Sequence, residues 1–214
     1  MADGDGRDLR SERKRGDILA AARRLFMLEG YSGTGMEAVA RDAAVSTATL
    51  YAYFPGKADL FKAVVEEAAE EFSRLIDEAT ALGGDGISQL RGFAVAYARF
   101  MSDPFVRSVF RLVASERRRF EGVARHFYER GRREFGGYLM QVLKRLQDEG
   151  RVRVTKPSWA AGQLMGMIEH PCFVVPMVTG DETRAERPIE QICDEAVETF
   201  LARYAVHAPA EAAA

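Results

Sequence analysis

The sequence predicts an all-α protein, with a small N-terminal three-helix unit followed by a larger helical domain. Three observations predict the class. Apolar residues recur at helical spacing along nearly the whole chain; no sustained period-two alternation is bounded by hairpin turns; and glycines and prolines fall where helices stop and start. At 214 residues the chain can bury a proper core as one large domain or two small ones. The formal net charge of -2 conceals a basic start (Arg7, Arg10, Arg13, Lys14, Arg15) and a later acidic cluster (Glu66, Glu67, Glu70, Glu71). The first twenty residues lack an apolar signal core, and no run is long enough to cross a bilayer. A cytoplasmic protein with no membrane partner is expected. Cys172 and Cys193 lack CxxC spacing, so two reduced, buried thiols are expected, with no metal and no cofactor.

Residues 1–10 are expected to form a disordered arm and 207–214 a disordered tail, flanking a head at 11–57 and a second domain at 58–206. The first helix, Ser11 to Glu29, places Ile18, Ala22, Leu25 and Phe26 on one buried stripe, and Gly30 stops it. Thr34 and Glu37 have the spacing of a capping box for a short second helix that buries Met36, Val39, Ala40 and Ala43. Ser46 caps the third helix, and Val45 staples onto Leu50, which points inward with Phe54. Its opposite side gathers Thr47, Ala48 and Tyr51 where the backbone offers free N–H groups, a surface suited to anions.

Gly56 caps a long fourth helix with Asp59 in its first turn, and Phe61, Val64, Val65, Ala68, Phe72, Leu75, Ile76 and Ala79 keep one face until Gly83 and Gly84. Further helices are expected at 87–102, 104–113, 119–149, 157–178 and 188–204. Pro104, Pro157 and Pro188 stand in first turns and Gly150 at a stop. Gly131, Gly136 and Gly137 mark a kink or break in the longest of these, and Pro171 a bend in the penultimate one.

Three short helices with a tight connection between the second and third describe a helix-turn-helix whose third helix enters a DNA major groove. The stretch ILAAARRLFMLEGYSGTGMEAVARDAAVSTATLYAYFPGKADLF, Ile18 to Phe61, resembles the DNA-binding domain of TetR-type transcriptional regulators. The resemblance implies phosphate contacts from Thr34, the cap of the second helix, Thr49, Tyr51, Tyr53 and Lys57, and base reading by Thr47 and Ala48. With Ser46 these make the expected DNA-binding set. Two departures stand out: Ala44 in the turn and Ala48 in the recognition helix occupy positions where many relatives have glycine. A positive φ at Ala44 costs about 1 to 2 kcal/mol, and Ala48 offers only apolar contact, such as to a thymine methyl.

The remainder is similar to the subgroup of the AefR repressor, judged by FRLVASERRRFEGVARHFYERG and LQDEGRV. That resemblance implies a twofold homodimer in which the last two helices pair with their copies through Trp159, Leu164, Met167 and Ile168 on one face and Ile192, Cys193, Ala196, Phe200 and Tyr204 on the other. Phe93, Tyr97, Phe100, Met101, Phe110, Phe127, Tyr128, Tyr138, Met140, Met165 and Met167 form an aromatic and methionine-rich pool able to line an apolar effector pocket, with His170 as its polar candidate. Ordinary helix packing, and for His170 a satisfied core histidine, is the competing reading. Arg117, Arg118 and Arg119, with Arg107, Arg111 and Arg125 nearby, either pair with the acidic face of the fourth helix, the preferred reading, or attract an acidic effector; a solvated surface is the default for such a run.

These features favour a homodimeric regulator that binds a pseudo-palindromic operator in double-stranded DNA, a repressor released by an unknown small apolar or amphipathic molecule. A regulator without an effector is the alternative. A helical enzyme is disfavoured, because His126, His170 and His207 are scattered and no catalytic residues are identified.

Overall fold

The structure, a computed structural model, describes residues 5–81, 83–180 and 187–206. Residues 1–4 of the expected arm and the whole expected tail, with His207, lie outside the described residues. The helices are α1 (Asp5–Gly33), α2 (Met36–Asp42), α3 (Thr47–Tyr53), α4 (Lys57–Ala81), α5 (Gly86–Ser102), α6 (Pro104–Ser115), α7 (Glu121–Asp148), α8 (Pro157–Glu169), α9 (Val175–Thr179) and α10 (Ile189–Tyr204). A π-helical turn, His170–Val174, joins α8 to α9. Among the described residues the nearest thing to a strand is one isolated antiparallel bridge, Val152 with Ala205.

The chain divides into two compact units: residues up to Ala69 with Ser108–Phe127, and Glu70–Arg107 with the residues from Tyr128 onward. The head is therefore larger than the expected 11–57. It takes in the first part of α4 and the segment around the α6–α7 turn, because their apolar side chains close its core.

In the first unit α1 starts at Asp5, within the segment expected to be disordered. Ile18, Leu19, Ala22 and Phe26 of α1, Met36, Val39 and Ala40 of α2, Leu50 of α3 and Phe54 after it, and Leu60, Phe61, Val64 and Val65 of α4 are all buried. Phe26, Tyr31, Phe61 and Phe120 form a ring cluster with centroids 4.8–6.1 Å apart. The helical path breaks at Gly30 (φ 72°), the expected stop, and the chain then makes one more turn to Gly33. A left-handed residue there is inexpensive only without a Cβ.

In the second unit α5 is the central helix and packs against α8, the π turn and α10. Leu90, Phe93, Ala94, Tyr97 and Phe100 bury its inward face, joined by Leu139, Val142, Leu143 and Leu146 of α7. Asp85 caps α5 by accepting from Ser88 N at 2.9 Å, and Arg107 Nη1 donates to Ser102 O at 2.6 Å at its other end. The expected kink at Gly131, Gly136 and Gly137 is absent: α7 runs unbroken, since glycine only lowers helix propensity and flanking buried residues hold the path. The expected bend at Pro171 takes the form of the π turn, where a wider hydrogen-bond loop accommodates a ring with no N–H to give.

Candidate nucleic-acid interface

The approach to α3 is built by backbone geometry. Val45 N donates to Ala40 O (2.9 Å) and Ala44 N to Arg41 O (3.2 Å), the paired bonds of a Schellman stop, with Ala44 at φ 52° in the position glycine usually fills. The chain leaves α2 with its last carbonyls satisfied and enters α3 two residues later. Ser46 Oγ accepts from Thr49 N at 3.1 Å and lies 2.8 Å from Thr49 Oγ1, so the expected cap is present. Leu50 and Phe54 anchor the inner side, leaving Ser46, Thr47 and Ala48 exposed and Tyr51 45% exposed.

The other expected DNA contacts divide by environment. Tyr53 is half-buried, its hydroxyl 2.9 Å from Ser11 Oγ, which ties the end of α3 to α1. Lys57 Nζ donates to Thr34 O at 2.8 Å and stands 4.5 Å from the centroid of the Tyr31 ring. Thr34 departs from expectation: it is buried, its hydroxyl donates to Gly30 O at 2.8 Å, and the N-cap of α2 is Gly35 with no side-chain bond. The break at Gly30 leaves a carbonyl that takes the Thr34 proton, so the capping box with Glu37 does not form and the hydroxyl is not presented outward. Arg10, Arg13, Lys14 and Arg15 are exposed on the early turns of α1, and Arg24 pairs with Asp42 at 2.8 Å between α1 and α2. Ser11 gave no sequence signal, since its partner lies 42 residues away.

The effector candidates are divided between the two units. Phe110 and Phe127 belong to the first unit, with centroids 4.9 Å apart. In the second unit Phe93, Tyr97, Phe100 and Met101 are buried, and Met165 and Met167 are half-buried. Phe93 stacks on Tyr97 (5.6 Å) and on Tyr138 (6.0 Å), and Phe135 meets Tyr97 edge-on at 4.9 Å. The Tyr97 hydroxyl donates to Glu169 Oε1; burial first, and then the Glu169 charge and this bond, push the phenol well above its ordinary range. The Tyr138 hydroxyl is buried with no hydrogen-bond partner among the described residues. Tyr128, 69% exposed, and His170, also exposed, do not face this interior, because each lies on the solvent side of its helical turn; nor does Met140. The pairing of Glu169 with Tyr97 leaves no local sequence signal, because the two are 72 residues apart.

The expected dimerisation stripe is mostly core. Leu164, Ile168, Ile192, Cys193, Ala196 and Phe200 are buried within the unit, where α8 and α10 pack on each other and on α5. Periodicity marks the most apolar face, and in this chain that face meets its own neighbours. Trp159, 67% exposed, is the member left outside; Tyr204 is half-buried, its hydroxyl donating to Gln163 Oε1 at 2.6 Å. Arg117, Arg118 and Arg119 are exposed, with no carboxylate in ion-pair range among the described residues, so the expected pairing with α4 is not made by them; His126 does approach Glu66 of α4 at 3.5 Å. Among the described residues no group of three or more His, Cys, Asp or Glu is placed to hold a metal, and no helix is long and apolar enough to cross a membrane.

Comparison with known proteins bears on this geometry. Residues 18–64 match the family model of bacterial regulatory proteins of the tetR family, and residues 88–206 that of the AefR-like transcriptional repressor C-terminal domain. A crystal structure from Mesorhizobium loti, assigned to the TetR family of transcriptional regulators, is 30% identical and superposes with a TM-score of 0.80 over 92% of this chain and 99% of that one. The flavonoid-responsive regulator FrrA is 30% identical over 92% of this chain and 100% of its own, with a TM-score of 0.68. The HTH-type transcriptional activator FasR of Mycolicibacterium smegmatis is 30% identical over 96 residues, 45% of this chain, and the match spans only 44% of FasR's length. With both halves matched and an exposed, capped third helix on a closed three-helix core, the chain belongs to the TetR family and is a DNA-binding transcriptional regulator, not an enzyme.

Proposed function

We propose that the protein is a homodimeric repressor that leaves a pseudo-palindromic operator when a small amphipathic molecule enters its second unit. The observation that carries the DNA-binding part is the outward face of α3: Thr47, Ala48 and Tyr51 stand free while Leu50 and Phe54 hold the helix down. Thr47 and Ala48 read base edges; Thr49, Tyr51, Tyr53 and Lys57 fix register on phosphates, and the exposed arginines of early α1 add non-specific attraction.

The AefR-like repressor model over residues 88–206 supports repression, although similarity to the activator FasR supports activation as a second reading. Dimerisation uses the outward face of α8 and its continuation, where Trp159, Val174 (42% exposed) and Val178 (79% exposed) are uncovered. For the effector, the Phe93–Tyr97–Tyr138 stack favours a flat apolar body, and the buried Tyr138 hydroxyl favours an oxygen acceptor on it. Similarity to a flavonoid-responsive regulator agrees with that chemistry. The effector must bind the released conformation more tightly, by the full factor of the release.

Random-site selection followed by gel-shift titration tests this. Saturable binding to a two-half-site sequence is expected. Tyr51→Ala should weaken all sequences alike, and a change at Thr47 should alter the preferred sequence. Equal loss for both variants on every sequence would overturn the division of roles.

A further inference from the structure

The α6–α7 turn belongs to the first unit, and its backbone is fixed: Arg119 N and Phe120 N both donate to Glu116 O at 2.9 Å. Phe120 anchors it, its ring 4.8 Å from Tyr31 and 4.9 Å from Phe61 in the aromatic core of the head. That anchor brings the Arg119 guanidinium to 4.8 Å from the Tyr31 centroid, the same ring on which Lys57 stands at 4.5 Å. The two cations are therefore separated by no more than roughly one Debye length at 0.1 M salt, about 10 Å. Arg117 and Arg118, immediately before Arg119 in the turn, are exposed. Glu116 and Glu121 flank the run in sequence, but among the described residues neither forms an ion pair with these arginines; like charges held together in this way raise each other's energy, and an added anion relieves this.

We propose that Arg117, Arg118 and Arg119 are a second phosphate-binding element of the head, continuing the contact begun by Lys57 onto the DNA backbone flanking the sequence that α3 reads. The turn lies about sixty residues beyond the helix-turn-helix in sequence, and Phe120 ties it to the head through Tyr31 and Phe61. This rests on the operator reading above and extends its footprint. Three guanidiniums, always charged and suited to two-oxygen phosphate contacts, fit a polyanion better than a single acidic small molecule. They carry no base specificity, so they strengthen specific and non-specific binding alike.

The test is the salt dependence of DNA binding by the full chain, for the wild type, R117Q/R118Q and R117Q/R118Q/R119Q, on a selected operator and on mixed-sequence DNA. Each lost phosphate contact should make the slope of log affinity against log salt shallower by about 0.9, with similar loss on both DNAs. The double variant removes exposed side chains only, so its thermal midpoint should match the wild type and separate lost contact from lost fold. Wild-type binding with an unchanged slope in both variants would overturn the proposal, as would a longer flanking sequence that adds nothing to wild-type affinity. A variant slope that is unchanged while binding of an acidic small molecule or acidic peptide is lost would assign the turn to that ligand instead. No sequence-dependent binding by the wild type would overturn the operator reading, and this element with it.

Discussion

Lys57 Nζ donates to the carbonyl oxygen of Thr34 at 2.8 Å while resting 4.5 Å above the Tyr31 ring. With a longer bond to Ser32 O at 3.5 Å, the ammonium ties the first residue of α4 to the junction of α1 and α2, and still has one donor left for a phosphate. Lys57→Met keeps the stem and removes the charge. It should lower operator affinity about tenfold, flatten the salt slope by about 0.9, and cost about 1 kcal/mol of stability, less than a buried charged bond because the residue is partly exposed. Gel-shift titration at several salt concentrations and urea unfolding read the two effects separately; an unchanged salt slope would remove Lys57 from the DNA contacts.

Ala44 holds φ 52° at the Schellman position between α2 and α3. Its Cβ costs about 1 to 2 kcal/mol in that region, and glycine returns part of the gain through its freer unfolded chain. Ala44→Gly should therefore stabilise the protein by about 0.5 to 1 kcal/mol with DNA affinity intact. A lower urea midpoint would mean that the turn is not strained as its φ implies.

The helix-turn-helix was legible in the sequence because its signals are local. The Ser46 cap, the Leu50 and Phe54 anchors and the Gly30 stop each act within a turn or two, and all three are present. Thr34 departs from the expected cap for a physical reason: the same hydroxyl can cap the helix after it or close the turn before it, and the carbonyl freed at Gly30 lies within reach. Long-range pairings such as Tyr97 with Glu169 leave no periodic trace, and an apolar stripe like that of Leu164 and Ile168 does not say whether its own chain or a second copy covers it.

That last ambiguity separates two substitutions on α8. Leu164 is fully buried, so Leu164→Ala should cost about 2 to 5 kcal/mol of unfolding free energy. Trp159 is 67% exposed, so Trp159→Ala should leave protomer stability nearly unchanged while shifting sedimentation toward monomer. A dimer unaffected by the loss of Trp159 would place self-association on another face.

The Tyr138 hydroxyl is buried with no hydrogen-bond partner among the described residues, which leaves its desolvation cost uncompensated. Tyr138→Phe should raise the unfolding free energy by about 1 kcal/mol and, if the hydroxyl is held for the effector, weaken effector-induced release of DNA. Calorimetry without ligand checks the first part. A destabilised Tyr138→Phe would mean that the hydroxyl is solvated in the native state.

Cys193 sets an alkaline limit on stability. Burial first, with Cys172 and the nearby carboxylates Asp194 and Glu190 adding to it, pushes the thiol from its ordinary 9.0 up to about 12; burial pushes Cys172 up as well. A proton held more tightly by the folded state stabilises it fully below the ordinary value, and that contribution is lost as pH rises from about 9 towards 12. Unfolding free energy should therefore fall over that range, and Cys193→Ala should flatten the decline, leaving the share due to Cys172. At neutral pH the same substitution should cost about 1 kcal/mol for the lost sulfur packing. Both thiols should also resist a thiol reagent at pH 8 and react fully in denaturant, because the thiolate is the reactive form and burial suppresses it. Rapid labelling of the native protein, or an alkaline limb identical in wild type and Cys193→Ala, would show that Cys193 is not held in the buried state that raises its pKa.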